Sequence, residues 1–246
     1  MRPSKAVFLF SSFIGVLLLV VLGLGVGRQR PTTAGFVSYR VDLRREELRL
    51  YWQDQQGQRF GSLGQLHETL AAQGQPLVFA MNGGMYNAHY APQGLFIDDG
   101  HLITPLDIST QAGNFYLKPN GVFYLTTANE ARICKTEDFR AGQVRYATQS
   151  GPMLVIDGQI HPAFRPGSAN RQIRNGVGIL PDKRVLLAMS KTPVSFYAFA
   201  EYFRRAGCRN ALYLDGYVSR TYAPAAGWAQ TDGDFGVIIG VTRTKQ

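Results

Sequence analysis

The chain has 246 residues, of which 45% are hydrophobic and 17% are charged. These values are typical of a globular protein and exclude an extended disordered chain, and the length suits one sizeable domain. A formal net charge of +9 favours an anionic partner. The basic residues are scattered and accompany no nucleic-acid-binding motif, so we predict no nucleic-acid partner.

An uncharged apolar stretch at residues 6–27 follows the basic residues Arg2 and Lys5. Its length suits a membrane span better than the shorter apolar region of a cleaved signal peptide. We expect an inner-membrane protein with a single span and its body in the periplasm or outside, or a secreted protein if the segment is cleaved. The predicted organisation is a membrane anchor or signal segment over 1–27, a linker over 28–35 and one domain over 36–246.

Short turn motifs between apolar runs predict that the domain is built from β-hairpins. Asp-Gly and Asn-Gly in such positions are strong hairpin signals, and the alternating segments FVSYRVDL and ELRLYWQ are typical of paired, half-buried strands. The predicted turns lie at Arg44–Glu46, Asp98–Gly100, Pro119–Gly121, Asp157–Gly158 and Pro181–Arg184. We therefore expect an α+β fold, with a mixed, mostly antiparallel and curved sheet of hairpins and a few packed helices.

Two segments predict helices. In SLGQLHETLAAQG, Ser62 is the expected N-cap and Gln65 follows it three residues later. In PVSFYAFAEYFRRAGC, Ser195 is the expected cap and Gly207 the expected stop. Each helix has an apolar stripe that we assign to the core. The stripes consist of Leu63, Leu66 and Leu70, and of Phe196, Phe199 and Phe203.

Four polar turns are candidates for a binding site, because each one follows or opens an apolar strand. Together they supply an amide, a hydroxyl, a guanidinium and a carboxylate, which are the groups that a polar substrate cleft needs. Each turn also has a simpler interpretation as a tight turn that needs glycine. The turns are Asn82–Gly84, Ser150–Pro152, Arg174–Gly178 and Asp215–Ser219.

The familiar catalytic and metal motifs are missing from the sequence, including GxSxG, the Walker loop, HExxH and CxxC. Four histidines without a close pair argue against zinc, so we predict no metal ligands and leave the cofactor unassigned. Calcium stays open, because Asp98, Asp99 and backbone carbonyls would supply oxygen ligands, although a hairpin turn explains both residues. Cys134 and Cys208 either pair in an oxidising compartment or stay as buried thiols.

Five segments, MNGGMY, SGPMLVIDGQI, RNGVGILPDKRVLLAMS, the helix ending in AGC and ALYLDGYVS, follow the order and spacing of one known family. The chain resembles the phosphodiester glycosidase family, the relatives of the lysosomal uncovering enzyme N-acetylglucosamine-1-phosphodiester alpha-N-acetylglucosaminidase. It looks like a short bacterial member located in the cell envelope. The resemblance covers roughly residues 36–241.

The resemblance implies a hydrolase that cleaves the bond between a sugar's anomeric carbon and a phosphodiester oxygen. Its partners would be a carbohydrate phosphodiester substrate and, through the N-terminal segment, the membrane. A guanidinium can neutralise the negative charge that grows on the phosphate oxygens during the reaction, and we assign this role to Arg174. The Asp215 carboxylate would stabilise the positive charge that develops at the anomeric carbon, or it would activate water. The residues assigned to substrate binding are Asn82, Gly83, Gly84, Ser150, Gly151, Gly216 and Ser219.

The turn after Asp215 departs from the family pattern. Many relatives carry two glycines where this chain has Tyr217 and Val218, whose side chains occupy space in the expected sugar pocket. A contrasting hypothesis is therefore a membrane-tethered protein that binds envelope glycans without catalysis, with Tyr217, Tyr86 and Tyr90 stacked on sugar faces. A third is a nuclease-like or lipid phosphodiesterase that uses the same basic cleft.

Overall fold

The computed structural model describes residues 35–244, which contain 18 strands and two α-helices. The helices are α1 (Leu63–Ala72) and α2 (Phe196–Arg205). The first nine strands are β1 (Phe36–Val41), β2 (Glu46–Tyr51), β3 (Leu77–Asn82), β4 (Phe96–Asp98), β5 (His101–Thr104), β6 (Gly121–Thr126), β7 (Ala131–Lys135), β8 (Val144–Ser150) and β9 (Met153–Ile156). The others are β10 (Gln159–Ile160), β11 (Arg171–Gln172), β12 (Asn175–Ile179), β13 (Val185–Ser190), β14 (Val194–Ser195), β15 (Ala211–Asp215), β16 (Thr221–Ala223), β17 (Trp228–Ala229) and β18 (Ile238–Arg243).

The strands form three large sheets and one small one. The first sheet has the order β1-β13-β12-β15-β9-β10, the second β17-β16-β3-β18-β2 and the third β5-β4-β8-β6-β7, while β11 and β14 form a two-stranded sheet. Every strand pair within these sheets is antiparallel. The α+β prediction therefore holds in its coarse form, but the single mixed sheet is corrected to separate antiparallel sheets with two helices.

The inner faces of the three large sheets enclose the main hydrophobic core. Its aromatic centre consists of Phe79 of β3, Phe96 of β4 and Phe123 of β6, all at most 1% exposed. Leu187 and Leu212 of the first sheet pack into the same core. Burial of this apolar surface is the main driving force for folding, at about 25 cal/mol per Å². All three sheets are therefore held against one another by one core.

Both predicted helices form, with the predicted caps. The Ser62 hydroxyl accepts a hydrogen bond from the backbone N–H of Gln65 (3.1 Å), and the Ser195 hydroxyl accepts one from Ala198 N–H (3.2 Å). Such caps satisfy the first free N–H groups of a helix. The buried helix residues are Leu63, Leu66, Leu70, Phe199, Ala200, Tyr202 and Phe203. They form clusters separate from the main core, so α1 covers the outer face of the second sheet and α2 that of the first.

Three predicted hairpins are confirmed, namely β4–β5, β9–β10 and β12–β13. In the first, Asp99 and Gly100 have φ of 45° and 83°, and in the second, Asp157 and Gly158 have 49° and 81°. Positive φ at both central residues matches the twist of a hairpin, and Asp and Gly tolerate it best. These local signals were sufficient for these three pairs.

The predicted hairpin at Pro119–Gly121 is wrong. The segment before it forms a 3₁₀ turn at Asn114–Tyr116 rather than a strand, and Gly121 is the first residue of β6. The side-chain amide of Asn120 is buried and donates to Phe115 O at 3.0 Å. Asn120 therefore supports the preceding turn instead of reversing a strand.

The predicted pairing of β1 with β2 is also wrong. β1 pairs with β13 in the first sheet, and β2 pairs with β18 in the second. The turn between them forms as expected, with Asp42 O accepting from the N–H groups of Arg45 and Glu46. Alternating residues specify which face of a strand is buried but not its partner, so the chain passes from one sheet to another here.

The predicted N-terminal anchor and almost all of its linker lie outside the described residues, so both remain predictions. Within residues 35–244, no helix is long and apolar enough to cross a membrane. Cys134 and Cys208 are both free thiols. Burial raises the pKa of Cys134 to about 11 and that of Cys208 to about 12, so both stay protonated at neutral pH.

Candidate active site

Three strand ends, one from each large sheet, meet at a single point. Asn82 ends β3 of the second sheet, Ser150 ends β8 of the third, and Asp215 ends β15 of the first. Asn82 Nδ2 donates to Asp215 Oδ2 at 3.1 Å, and Ser150 Oγ donates to Leu214 O at 3.2 Å. The structure thus brings together three residues that the sequence assigned to the site.

The Asp215 carboxylate is buried and binds only neutral donors. Its Oδ1 accepts the N–H groups of Gly216 (2.5 Å) and Tyr217 (3.0 Å), and its Oδ2 accepts from Asn82. The residue is 7% exposed, and none of the ion pairs within residues 35–244 includes it. Desolvation raises the pKa of Asp215, which these donors partly offset. A carboxyl group with a raised pKa exchanges protons closer to neutral pH.

Asn82 is held by two further donors that the sequence did not single out as site groups. Asn175 Nδ2 donates to Asn82 O (2.7 Å) and to Asn82 Oδ1 (2.8 Å), and the Arg220 N–H donates to Asn82 Oδ1 (3.0 Å). Since its oxygen accepts from both, the Asn82 side chain can only turn its N–H₂ group toward Asp215. Asn175 lies inside the RNGVG motif and Arg220 directly after DGYVS, so their positions next to predicted residues were the available signal.

The turn after Asp215 is closed by Ser219. Its hydroxyl lies 3.2 Å from Ile173 O and 3.1 Å from Asp215 O, and the residue is 4% exposed. These contacts make Ser219 a support of the turn that presents the Gly216 and Tyr217 amides to Asp215. Substrate binding through Ser219 stays a prediction.

The four predicted ligand-admitting glycines are enclosed by the protein itself. A Cβ on Gly83 would approach Ile239 (2.8 Å), and one on Gly84 would approach Thr148 Oγ1 (2.8 Å). A Cβ on Gly151 would lie 2.6 Å from Phe115 O, and one on Gly216 would overlap the Tyr213 hydroxyl. The close approach of the chain's own atoms is therefore a sufficient physical reason for glycine at these positions, and their role in admitting a ligand stays a prediction.

Arg174 lies behind the site rather than on its surface. It is completely buried, and its guanidinium stacks on the Phe196 ring at 3.6 Å from the centroid. Nε donates to Val194 O (3.0 Å), Nη1 to the Tyr213 hydroxyl (3.3 Å) and Nη2 to Asn170 O and Oδ1 (3.2 and 2.8 Å). Four of the five guanidinium N–H groups are thus used inside the protein, and burial lowers the pKa of Arg174. The described geometry offers no fork to a phosphate at this position.

Aromatic side chains lie around the site. Tyr217 directly follows the Asp215–Gly216 pair and is 94% exposed. Tyr86 and Tyr90 stack on each other with ring centroids 5.4 Å apart, and the Arg59 guanidinium lies 4.0 Å from the centroid of Tyr90. An exposed ring beside a carboxylate is a natural contact for the apolar face of a sugar.

Arg220 is a partly exposed basic residue whose backbone is attached to the polar cluster. Its backbone binds Asn82, while its Nε donates to Asp232 Oδ2 at 2.8 Å and its Nη1 to Ser219 O at 3.1 Å. Both partners of the Arg220–Asp232 ion pair are partly exposed, at 36% and 64% of their side-chain surfaces. Exposed ion pairs of this kind contribute little to stability.

Within the described range, no group of three or more His, Cys, Asp or Glu side chains is arranged to hold a metal ion. Asp99, one of the two residues considered for calcium, accepts a hydrogen bond from Arg145 Nε at 2.8 Å. Desolvation raises the pKa of its neighbour Asp98. Both belong to the confirmed β4–β5 hairpin, which accounts for their position.

Relatives of the chain were found by sequence. The model of the family described as "Phosphodiester glycosidase" matches residues 75–238. The chain is also 37% identical over 187 residues to "Uncharacterized protein YigE" of Escherichia coli (strain K12), an alignment that covers 75% of this chain and 73% of that protein.

Three solved structures share the fold at low sequence identity. The catalytic domain of zebrafish N-acetylglucosamine-1-phosphodiester alpha-N-acetylglucosaminidase, auto-inhibited by its pro-peptide, has a TM-score of 0.52 at 12% identity, over 86% of this chain and 89% of that chain. A putative exported protein from Burkholderia pseudomallei K96243 has a TM-score of 0.52 at 11% identity, over 84% and 73%. A hypothetical protein from Synechocystis has a TM-score of 0.51 at 14% identity, and the match spans 86% of this chain but only 60% of that one. On the extent of the family match and the identity to the E. coli relative, the chain belongs to the phosphodiester glycosidase family.

Proposed function

We propose that the protein hydrolyses a sugar-1-phosphodiester, breaking the bond between the anomeric carbon and a phosphodiester oxygen. The products are the free sugar and a phosphomonoester. Membership of the family supports the general class of activity. The observation that carries the proposal is the buried Asp215 carboxylate, which sits where three sheets meet and binds neutral donors alone.

Asp215 acts as the general base in this proposal. The donors to Asp215 are all neutral N–H groups, so no cation among the described residues holds the carboxylate in its charged form, and in this proposal it takes a proton from a water molecule. The water oxygen attacks the anomeric carbon and gives its proton to Asp215, while the electron pair of the broken C–O bond leaves with the phosphate oxygen. Because the leaving phosphate is already an anion of a strong acid, no strong general acid is needed.

Arg220 is the group that we assign to the phosphate. Its guanidinium is partly exposed, and its backbone N–H donates to Asn82, the same side chain that donates to Asp215. A planar guanidinium binds two phosphate oxygens at once. This assignment replaces Arg174, whose guanidinium has no exposed surface. Tyr217 would then contact the sugar from the solvent side.

The test is turnover by the purified protein of three matched substrates. These are an N-acetylhexosamine-1-phosphate methyl diester, the corresponding O-methyl glycoside, and a phosphodiester without a sugar. We expect turnover of the first alone, with free sugar and methyl phosphate as products. Binding of the first without turnover would support the glycan-binding alternative, and turnover of the third would support a phosphodiesterase.

A control variant separates the enzyme from a contaminating activity. Asp215→Asn should abolish turnover, while Asp157→Asn should leave it unchanged, because Asp157 lies in the β9–β10 turn and binds Arg209 at the surface. Equal activity in the two variants would show that the site lies elsewhere.

We also propose that the domain works in the cell envelope, tethered by residues 6–27. The support is the uncharged length of that segment and the basic residues before it. A reporter that is active only in the cytoplasm, fused after Gln246, tests the topology. Strong reporter activity in cells would contradict the proposal.

A further inference from the structure

Asn175 occupies the strand position directly opposite Asp215. It is the first residue of β12, and its Cα is paired with that of Asp215 across the first sheet. The side chain is completely buried and crosses from the first sheet to Asn82 on the second. Asn175 therefore binds the oxygen atoms of Asn82, whose side-chain nitrogen donates to Asp215.

The side-chain nitrogen of Asn175 is hydrogen-bonded, but its side-chain oxygen has no partner in the part of the chain that the structure describes. Its Nδ2 group donates to both oxygens of Asn82, at 2.7 and 2.8 Å. Its Oδ1 is buried and has no donor within the described residues. A buried unpaired acceptor costs on the order of 1–3 kcal/mol. The contact between the two sheets uses only the amide nitrogen of Asn175, and its Oδ1 takes no part in it.

We propose that Asn175 is a positioning residue, which fixes the orientation of the Asn82 amide so that its N–H₂ group always donates to Asp215. This inference rests on the proposed function only for its effect on turnover, because the orientation of Asn82 can be measured without a substrate. Asn175 does not touch the carboxylate and acts through Asn82 alone.

The expected consequence is a change in the proton affinity of Asp215. Hydrogen bonds to the charged form of a carboxyl group lower its pKa, and Asn82 supplies one of those to Asp215. If Asn175 is removed, Asn82 is held only by the Arg220 N–H and spends part of its time turned away. The pKa of Asp215 should then rise further.

The other titratable and charged groups that the structure describes near Asp215 make no hydrogen bond to the Asn175 side chain. The phenols of Tyr86 and Tyr213 face it from the loop after β3 and from β15. Desolvation raises the pKa of Tyr86 to about 12, and it also raises the pKa of Tyr213. Both phenols therefore stay neutral over the pH range in which a carboxyl group titrates. The guanidinium of Arg220 binds Asp232, and that of Arg174 binds the Tyr213 hydroxyl.

The experiment compares Asn175→Ser and Asn175→Thr with the matched control Asn210→Ser. Asn210 is also a side-chain bridge, with bonds to Asp157 N–H and Ile133 O, but it lies at the opposite end of β15. The Asp215 titration is followed by ¹³C-carboxyl NMR on protein labelled at aspartate, with the Asp215 signal identified through Asp215→Asn. We expect the Asp215 pKa to increase in the order wild type, Asn175→Thr, Asn175→Ser, with no change in Asn210→Ser.

In the active protein, the same variants should shift the acidic limb of the kcat/KM profile toward higher pH and lower kcat about tenfold, with KM little changed. An unchanged Asp215 pKa in a folded Asn175→Ser protein would overturn the proposal, as would failure of both variants to fold, since Asn175 would then be a structural bridge. If wild type turns over no substrate but the NMR shift appears, the proposed function fails and the positioning role stands.

Discussion

Arg174 and Asp215 lie at neighbouring strand ends and are both buried charges, but the protein surrounds them differently. The Arg174 guanidinium is stacked on Phe196 and donates to backbone and side-chain oxygens in a place with no exposed surface. The Asp215 carboxylate receives amides from its own turn, which continues into the exposed Tyr217.

Burial alone therefore does not separate Arg174, whose partners lie within the protein, from Asp215, the base of the proposed reaction. Arg174 is held by Val194 of β14, Tyr213 of β15 and Asn170 before β11, so any movement of the guanidinium disrupts packing. Asp215 is held by the backbone amides of its own turn and by the Asn82 side chain. We base the assignment of Asp215 as the reactive group on its position at the start of an exposed turn rather than on its burial.

The largest expected effect is on turnover and comes from Asp215. Asp215→Asn removes the base and should lower kcat by about 10²- to 10⁴-fold. The new amide also meets the N–H₂ group of Asn82, so stability should fall too. Adding Asn82→Asp restores the hydrogen bond in the opposite direction, with the amide at position 215 as donor and the carboxylate at position 82 as acceptor. We expect the double variant to regain its melting temperature but not its activity. Calorimetry and steady-state kinetics on the three proteins measure both. Recovered turnover in the double variant would contradict the role of Asp215.

The next effect is on stability and separates the two arginines. Arg174→Lys loses several buried hydrogen bonds to oxygens that stay buried, so the free energy of unfolding should decrease by about 2–4 kcal/mol. Arg220→Lys changes a partly exposed side chain and should alter stability by less than about 0.5 kcal/mol, while it lowers turnover of the phosphodiester. Urea unfolding measures the stability of both variants, and steady-state kinetics measures their turnover. If Arg174→Lys were fully stable and inactive, the original assignment of Arg174 to the phosphate would be restored.

The smallest expected effect concerns Gly216, which lies between the two regions. A methyl group there would overlap the Tyr213 hydroxyl, which is bonded to Arg174. Gly216→Ala should therefore cost about 1–3 kcal/mol, and Tyr213→Phe should reduce that cost because it removes the overlapping atom. A double-mutant cycle by thermal unfolding measures the coupling. Additive effects would show that the turn has room to move away.

Local structure was predictable from the sequence where the signal was local. The caps at Ser62 and Ser195 act within three residues of themselves, and the Asp-Gly turns need only two adjacent residues with positive φ. The partner of β1 depends on contacts with residues 185–190, which no short motif encodes. The hairpin predicted at Asn120 was wrong for a related reason, because the Asn120 side chain donates to a backbone oxygen five residues earlier.

The site was predictable in part. Asn82, Ser150 and Asp215 were recognisable as polar residues at the ends of apolar strands, and their meeting follows from the fold. The burial of Arg174 was not predictable, because it depends on α2 bringing Phe196 over the guanidinium. Asn175 acts through an amide on another sheet, and the Arg220 N–H binds the same amide from directly before β16, next to β3. Both contacts exist only in three dimensions.

The junction of three sheets also has a consequence for how the protein acquires activity as it folds. The Asn82–Asp215 bond joins residues 133 positions apart, and the Asn175–Asn82 bond joins residues 93 apart. Contacts between distant residues form late, because the chain entropy of loop closure opposes them. Partly folded chains, and fragments that lack any one sheet, should therefore be inactive. Recovery of turnover during refolding should follow the slowest kinetic phase, well after the individual hairpins have formed.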